Sequence, residues 1–224
     1  MNKLIIAIDG FAATGKSTQA KRLSKALNMI YVDTGAMYRA VTLFGFNQPP
    51  QGRVDLRLLN ESLDQIQIYF KEVDGVQQTF LNGRNVTKAI RDAEVNKWVS
   101  QVASQEAVRT FLTTQQQLLG ADQAVVMDGR DIGTVVFPNA NCKFFLTATA
   151  EIRAKRRHLE QLEAGLEESF EAVLHNVKTR DEQDVSRAIA PLQKAKDALE
   201  IDVSALSKDE VFEILYAEVR KQQY

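Results

Sequence analysis

Hydrophobic residues enter this chain as short continuous runs that alternate with helical stripes. The first run, Leu4-Ile5-Ile6-Ala7-Ile8, leads straight into Asp9 and Gly10, so 3–8 reads as a strand buried on both faces. Leu23 and Leu27 then share one side of a helix over 16–27. "MIYV" at 29–32 predicts a second strand, followed by a helix carrying Met37, Tyr38, Val41 and Phe44, with Thr34 placed to cap it. Paired prolines followed by a glycine make "NQPPQG", 47–52, a loop.

After this loop the period changes. "IQIYF" and "VQQTFL" flank Asp74-Gly75, and Asn82-Gly83 follows; both dipeptides suit two-residue hairpin turns, so 63–90 reads as a small antiparallel sheet. From Asp92 to about Leu119 the apolar positions Val95, Val99, Val102, Val108, Phe111 and Leu112 return to helical spacing. "AVVMDGRD" (124–131) and "CKFFLTA" (142–148) predict two more buried strands. Helices follow over 150–164 and 167–180, the latter with Phe170, Val173, Leu174 and Val177 on one face; a strand over 199–204 and a helix over 207–222 close the chain. Strands alternating with helices place the protein in the α/β class, with a parallel sheet flanked by helices on both faces and a small antiparallel β insert.

The 224 residues are 45% hydrophobic and 25% charged, enough for one sizeable core with an inserted subdomain. Lys and Arg total 28 against 29 Asp and Glu, a net charge of −1, which gives no electrostatic drive toward nucleic acid. The N-terminal apolar run is too short for a signal peptide or a membrane span, so a cytoplasmic location without a membrane partner is expected. No exposed apolar stretch stands out, and a monomer is the expected state. Cys142 is the single cysteine and reads as a small buried thiol.

Chemistry enters at "DGFAATGKST", residues 9–18. Gly10, Gly15, Lys16 and Ser17 satisfy G-x-x-x-x-G-K-[ST] after a strand and at the start of a helix. Backbone amides of such a loop, from Gly10 through Phe11, Ala12, Ala13, Thr14 and Gly15 to Lys16, Ser17 and Thr18, point at a polyphosphate, and the helix N-terminus adds partial positive charge. Lys16 reaches the β- and γ-phosphates and the Ser17 hydroxyl ligates Mg²⁺, which predicts a bound nucleoside triphosphate, ATP. A GTPase switch lacks its guanine-reading motif here: "NKWV" at 96–99 has no aspartate and lies on a predicted helix. A small-molecule phosphotransferase remains, and it needs an acceptor site.

Three clusters offer one. In "DTGAMYR" (33–39), Tyr38 and Arg39 lie one turn beyond Thr34 and Gly35, although a core tyrosine and a solvated arginine fit the same spacing. In "MDGRDIG" (127–133), Asp128 ends an apolar strand where a Mg²⁺-orienting aspartate belongs, and Arg130 and Asp131 are costly to bury unless they meet a ligand or each other. In "TRDEQDVSRA" (179–188), Arg180, Asp184 and Arg187 share one helical face, as binding groups or as a salt-bridge ladder. Arg153, Arg156 and Arg157 form a basic face on the helix ending near Gly165, which suits either a closing lid that brings charge to the transferring phosphoryl group or a solvated surface. A kinase of another small acceptor (UMP, AMP, shikimate or dephospho-coenzyme A) and a nucleotide-binding module without acceptor both fit the residues at this point.

Taken in order, "IDGFAATGKST", "DTGAMYRA", "SQVAS", "DGRDIGTVVFP" and "TRDEQDVSRAIAPL" closely resemble bacterial cytidylate kinases of the nucleoside monophosphate kinase group, from residue 3 to about 220. The resemblance implies a single domain with its core over 1–60, 92–149 and 186–224, a monophosphate-binding insert over about 61–91 and a lid over about 150–185. It implies transfer of the γ-phosphoryl group of Mg·ATP to CMP or dCMP within pyrimidine metabolism. Carried over position by position, Ser100, Arg109 and Asp131 would read cytosine. Arg39, Arg130 and Arg187 would hold the acceptor phosphate, Arg180 and Asp184 would meet the ribose, and Thr34 and Tyr38 would stand at the mouth of the pocket. Lys16, Arg130, Arg157 and Arg187 would stabilise the transferring group. Base chemistry agrees: a carboxylate accepts from the cytosine N4 amino group, whereas uracil would set O4 against Asp131 acceptor to acceptor.

Ser100 and Arg109 are nine residues apart, on opposite sides of any single helix, so contact of both with one base predicts a break near 103–106 with Ser104 as the new N-cap. The loop departs from the family pattern at Phe11 and Ala13, which replace a proline and a glycine; where position 13 takes positive φ, alanine costs about 1 kcal/mol. Thr34 replaces the family serine and keeps its hydroxyl. A phosphate monoester is already ionised at neutral pH, so no general base is expected, and His158 and His175 read as surface groups.

Overall fold

The first apolar run forms β1 (Ile5–Gly10), whose Ile6, Ala7 and Ile8 are wholly buried because a parallel strand lies on either side. The computed structural model describes residues 3–49, 52–163 and 165–222. Along the chain follow α1 (Lys16–Leu27), β2 (Ile30–Asp33), α2 (Thr34–Phe46), α3 (Leu56–Glu61), β3 (Ile68–Val73), β4 (Val76–Leu81), β5 (Arg84–Asn85), α4 (Ala93–Ala103), α5 (Glu106–Asp122), β6 (Val125–Gly129), β7 (Cys142–Thr147), α6 (Ala150–Glu163), α7 (Phe170–Ser186), β8 (Leu199–Asp202) and α8 (Lys208–Lys221). One compact unit runs to Val32 and resumes at Gln117; the other is Asp33–Gln116.

The first unit is built on a five-stranded parallel sheet in the order β2-β6-β1-β7-β8. With β1 central, its register (Asp9 beside Gly129 and Phe145) brings the phosphate loop out between the ends of β6 and β7. Leu23 of α1 and Val211, Leu215 and Val219 of α8 pack on Ile6, Ile8, Phe144 and Leu146 of the sheet. Each such side chain contributes about 1.5–3 kcal/mol through burial. A reciprocal capping box between Ser207 and Glu210 starts α8. α6 and α7 pack on one another: Ala154 of α6 meets Val173 and Val177 of α7.

In the second unit the hairpin expectations hold. Val73 pairs with Val76 across Asp74-Gly75, where both residues take positive φ (52° and 74°), and Asn82-Gly83 repeats this at 48° and 80°. Tyr69 and Phe80, opposite one another in register, stack at 5.1 Å. The expected break between Ser100 and Arg109 is present: α4 ends at Ala103 and α5 begins at Glu106. Of loop 47–52, Pro50 and Gln51 lie outside the described residues, as does residue 164 at the end of the expected helix 150–164.

Four local expectations are corrected. Asp33, not Thr34, caps α2: its carboxylate accepts from the Ala36 amide (2.9 Å), and Thr34 is already helical. A carboxylate outcompetes a hydroxyl there because it also meets the positive helix end. Ser104 closes α4 rather than opening α5; its hydroxyl donates to the Gln101 carbonyl, and Gln105 accepts the first α5 bond from the Arg109 amide. The helix expected over 167–180 begins later and extends to Ser186, with Ser169 as N-cap. Arg187 therefore follows the helix with extended ψ (133°) instead of sharing its face.

Gly10 has φ +151°, and a Cβ there would lie 2.3 Å from the Leu146 carbonyl oxygen of β7. Backbone cannot retreat from backbone inside a parallel ladder. Gly10→Ala is therefore expected to cost on the order of 3 kcal/mol or more, read as a large drop in Tm by scanning calorimetry.

Candidate active site

Between β1 and α1 the chain turns through Phe11, Ala12, Ala13, Thr14 and Gly15. Two side chains fix the turn on one carbonyl: Thr14 Oγ1 and Lys16 Nζ each donate to the Phe11 oxygen at 3.0 Å. Gly15, left-handed at φ 86°, occupies the cap position of α1, and no side chain caps that helix end. The amides at the start of α1 are thus not taken up by a side-chain cap, as anion binding at a helix N-terminus requires. Ala13 also takes positive φ (60°), so the strain anticipated for that position is present. Phe11 meets Phe145 edge-on (6.4 Å) and carries the Arg153 guanidinium over its face at 5.0 Å. Ala12 is buried and Thr18 exposed.

Lys16 is buried, and burial lowers its pKa to about 7; Arg130 and Arg180 push the same way, while Asp128 and Asp184 oppose. A polyanion at the loop would reverse that balance and favour the ammonium. Next to it, Ser17 Oγ donates to Asp128 Oδ2 (2.7 Å) and the Tyr31 hydroxyl donates to Asp128 Oδ1 (2.7 Å). Asp128 thus stands at the end of β6 with both oxygens oriented, and with Ser17 it presents hard oxygen donors of the kind that Mg²⁺ takes. These two residues fit the cation.

Beyond Asp128, β6 turns into a wide, π-type turn over Ile132–Val136. Asp9, buried on β1, accepts the Ile132 amide at 2.8 Å and the Gly133 amide at 2.7 Å. Burial pushes the Asp9 carboxyl up to about 7 against the pull of these two amides. Arg130 Nε binds Asp184 Oδ2 (2.7 Å) and Arg187 Nη2 lies 3.4 Å from Asp184 Oδ1. Burial opposes ionisation of Asp184, but Arg130 and Arg187 hold it below the usual carboxylate range. The structure therefore brings Arg130, Asp184 and Arg187 together, with Arg180 half-buried on the same helix as Asp184.

The basic face of α6 divides by partner. Arg153 is buried, paired with both oxygens of Asp181 on α7 and donating to the Ala148 carbonyl. Arg156 donates to the Val203 carbonyl at 2.7 Å. Arg157 is half-buried and makes no hydrogen bond or ion pair with a described residue. His158, by contrast with the surface role expected of it, is half-buried and meets the Phe170 ring edge-on at 6.1 Å.

In the second unit, Arg109 is buried, donates to the Ala103 carbonyl (3.0 Å) and lies over the Tyr38 ring at 5.4 Å. The α4–α5 break supplies that carbonyl, which an unbroken helix would have used internally. Arg39 Nε donates to Asn96 Oδ1 (3.3 Å), so neither a core tyrosine alone nor a solvated arginine describes this pair. Thr34 is buried and Ser100 half-buried. Sequence reasoning missed Asp9, Tyr31, Asp181 and Asn96 as organisers. For Asp9 a signal existed: an acid inside an apolar strand is costly unless something holds it.

A phosphate loop at the end of the central parallel strand, an aspartate ending the neighbouring strand and a helical pair rich in arginine define a phosphate-loop kinase. The family model for cytidylate kinase matches residues 6–221, and the chain belongs to that family. The cytidylate kinase of Flavobacterium johnsoniae is 51% identical over 95% of this chain and 94% of its own length. That of Bacteroides fragilis is 47% identical over 99% and 98%, and that of Halalkalibacterium halodurans 44% over 99% and 100%. Among solved structures, an uncharacterised protein from Eubacterium ventriosum shares the fold at a TM-score of 0.53 and 14% identity, covering 98% of this chain and 99% of that one.

Because Ala13 sits at φ 60°, Ala13→Gly is expected to stabilise the protein by about 1 kcal/mol. For a chain of this size that raises Tm by about 2–4 °C, measurable by scanning fluorimetry in the absence of nucleotide.

Proposed function

We propose that the protein transfers the γ-phosphoryl group of ATP to the phosphate of CMP or dCMP, giving ADP and CDP or dCDP. The reading rests on one conjunction: an intact phosphate loop and, at the end of β6, Arg130 and Asp131, in a member of the cytidylate kinase family. The relatives favour this over UMP, AMP, shikimate or dephospho-coenzyme A as acceptor.

In this reading the loop amides from Gly10 to Thr18 and the Lys16 ammonium hold the triphosphate. Ser17 and Asp128 would hold Mg²⁺, which would supply charge neutralisation to the triphosphate. Among the described residues no three metal-ligating side chains come together, but nucleotide-borne Mg²⁺ needs only one or two protein ligands. Asp131 accepts from the cytosine amino group, with Ser100 and Arg109 as further base contacts and Thr34 and Tyr38 bounding the pocket. Arg39, Arg130 and Arg187 hold the acceptor phosphate; Arg180 and Asp184 meet the ribose. Insert 61–91 and lid 150–185 are the mobile parts, and closing the lid excludes water.

The acceptor oxygen is ionised at neutral pH, so catalysis consists of alignment and charge stabilisation by Lys16, Arg130, Arg157 and Arg187. The protein acts as a cytoplasmic monomer in pyrimidine nucleotide metabolism, without nucleic-acid or membrane partners. Among the described residues no helix is long and apolar enough to cross a membrane.

ADP formation with CMP, dCMP, UMP, AMP, GMP or dTMP supplied singly tests the acceptor. Rapid turnover with the two cytidylates alone is expected; equal rates with UMP would overturn the assignment of Asp131. Lys16→Ala is expected to abolish transfer while calorimetric binding of CMP persists, and undiminished turnover would overturn the loop's role.

A further inference from the structure

Asp9 has no part in the mechanism above, yet it is a buried acid on the central strand, next to Gly10 of the loop. Its two oxygens are used separately, Oδ1 by the Ile132 amide and Oδ2 by the Gly133 amide. Those are the two peptide groups immediately after Asp131. The first of these peptide groups is held at its carbonyl end as well: the Asp131 carbonyl accepts the Val135 and Val136 amides at 2.9 and 3.2 Å. The Asp131 backbone (φ −144°, ψ 23°) belongs to no regular element, so the turn depends on these bonds for its shape. Gly133 completes the fit: a Cβ there would lie 3.4 Å from Asp9 Oδ2 and 3.2 Å from the Lys143 side chain. Lys143 is itself locked, its ammonium holding both oxygens of Asp197 at 2.8 and 2.7 Å.

We infer that Asp9 is a positioning residue for acceptor selection: by holding the Ile132 and Gly133 amides it fixes the turn that carries Asp131, and so sets how strictly the acceptor base is read. The inference rests on the assignment of Asp131 to cytosine. Asparagine at position 9 retains one acceptor oxygen where two are required and turns an NH₂ group toward an amide. Neither β1 nor the loop needs the acid for its own hydrogen bonds, so the change falls on the turn. A displacement of about 1 Å at a specificity group costs on the order of 100-fold.

Asp9→Asn is expected to lower the ratio of kcat/KM for CMP over UMP by about 100-fold, mainly through KM for CMP, with KM for ATP within about threefold of wild type. Amide hydrogen exchange over residues 130–137 is expected to accelerate in the same variant. Asp9→Ser, which replaces the two carboxylate acceptors by one hydroxyl oxygen on a shorter side chain, should move both readouts in the same direction and serves if Asp9→Asn does not fold. Unchanged exchange, or faster exchange with the CMP preference intact, would overturn the inference, as would an equal loss with both monophosphates accompanied by a raised KM for ATP. Asp131→Asn in the same assay separates the two ideas. If it keeps the CMP preference, the base-reading assignment fails, whereas an intact effect of Asp131→Asn beside a silent Asp9→Asn condemns the positioning role alone.

Discussion

A lysine ammonium buried at the end of the central strand is the constraint around which this structure is arranged. Desolvation works against the charge on Lys16, and the neighbouring Arg130 and Arg180 add to the opposition. Nothing in an apolar core tolerates that density of cations, so the surrounding acids are not incidental. Asp128 and Asp184 offset the cations and are in turn held by hydroxyls and guanidinium groups. A triphosphate would meet an amide-lined loop and a cationic cluster already assembled, the kind of preorganisation that makes electrostatic catalysis effective.

The acids in this region differ in what they meet, and that difference sorts their tasks. Asp184 is ionised because two arginines compensate its burial. Asp128 accepts from two hydroxyl donors and lies in the field of Lys16, and a cation carried by nucleotide would add to these partners. Among the described residues Asp9 accepts from two amides, and burial pushes its carboxyl up to about 7. An acid so placed is poorly suited to hold a ligand and well suited to hold backbone. Breaking a buried, paired charge typically costs about 3–5 kcal/mol, so Arg153–Asp181 joins α6 and α7 into one piece, and Arg130–Asp184 is the pair that holds α7 to the turn after β6 in this arrangement.

How much of this was legible in the sequence follows the range of the interaction concerned. β1, α1 and the phosphate loop were readable because their signals are local: a continuous apolar run, then glycines at fixed spacing. The hairpins were readable from Asp74-Gly75 and Asn82-Gly83, whose positive φ values are local properties as well. The α4–α5 break was found by geometry applied to two residues expected to share a base, but its chemistry was misjudged at Ser104, because cap preference alone does not say which of two adjoining helices a serine serves. Thr34 lost its cap to Asp33 for a similar reason. Asp9 and Tyr31 escaped entirely: their partners lie 123 and 97 positions away, and only the strand order β2-β6-β1 brings them together. Arg153 was seen as charge on a helix face, while its partner Asp181 was not.

Phe11 and Ala13, which stand where the resemblance puts a proline and a glycine, show how such a loop is held without them. A proline at position 11 would preset φ, and a glycine at position 13 would occupy the left-handed region without strain. This chain has neither, and Ala13 accordingly bears about 1–2 kcal/mol of left-handed strain. In exchange the Phe11 ring receives Arg153 on its face and the edge of Phe145. Cation–π and aromatic contacts contribute about 0.5–2 and about 0.5–1.5 kcal/mol, the same order as the strain. Local rigidity is thus replaced by tertiary anchoring, and the anchor is the α6 arginine that is also paired with Asp181 of α7. The conformation of the phosphate loop in this protein is therefore coupled to α6 and α7, whereas a loop stiffened by proline and glycine would carry its shape within its own backbone.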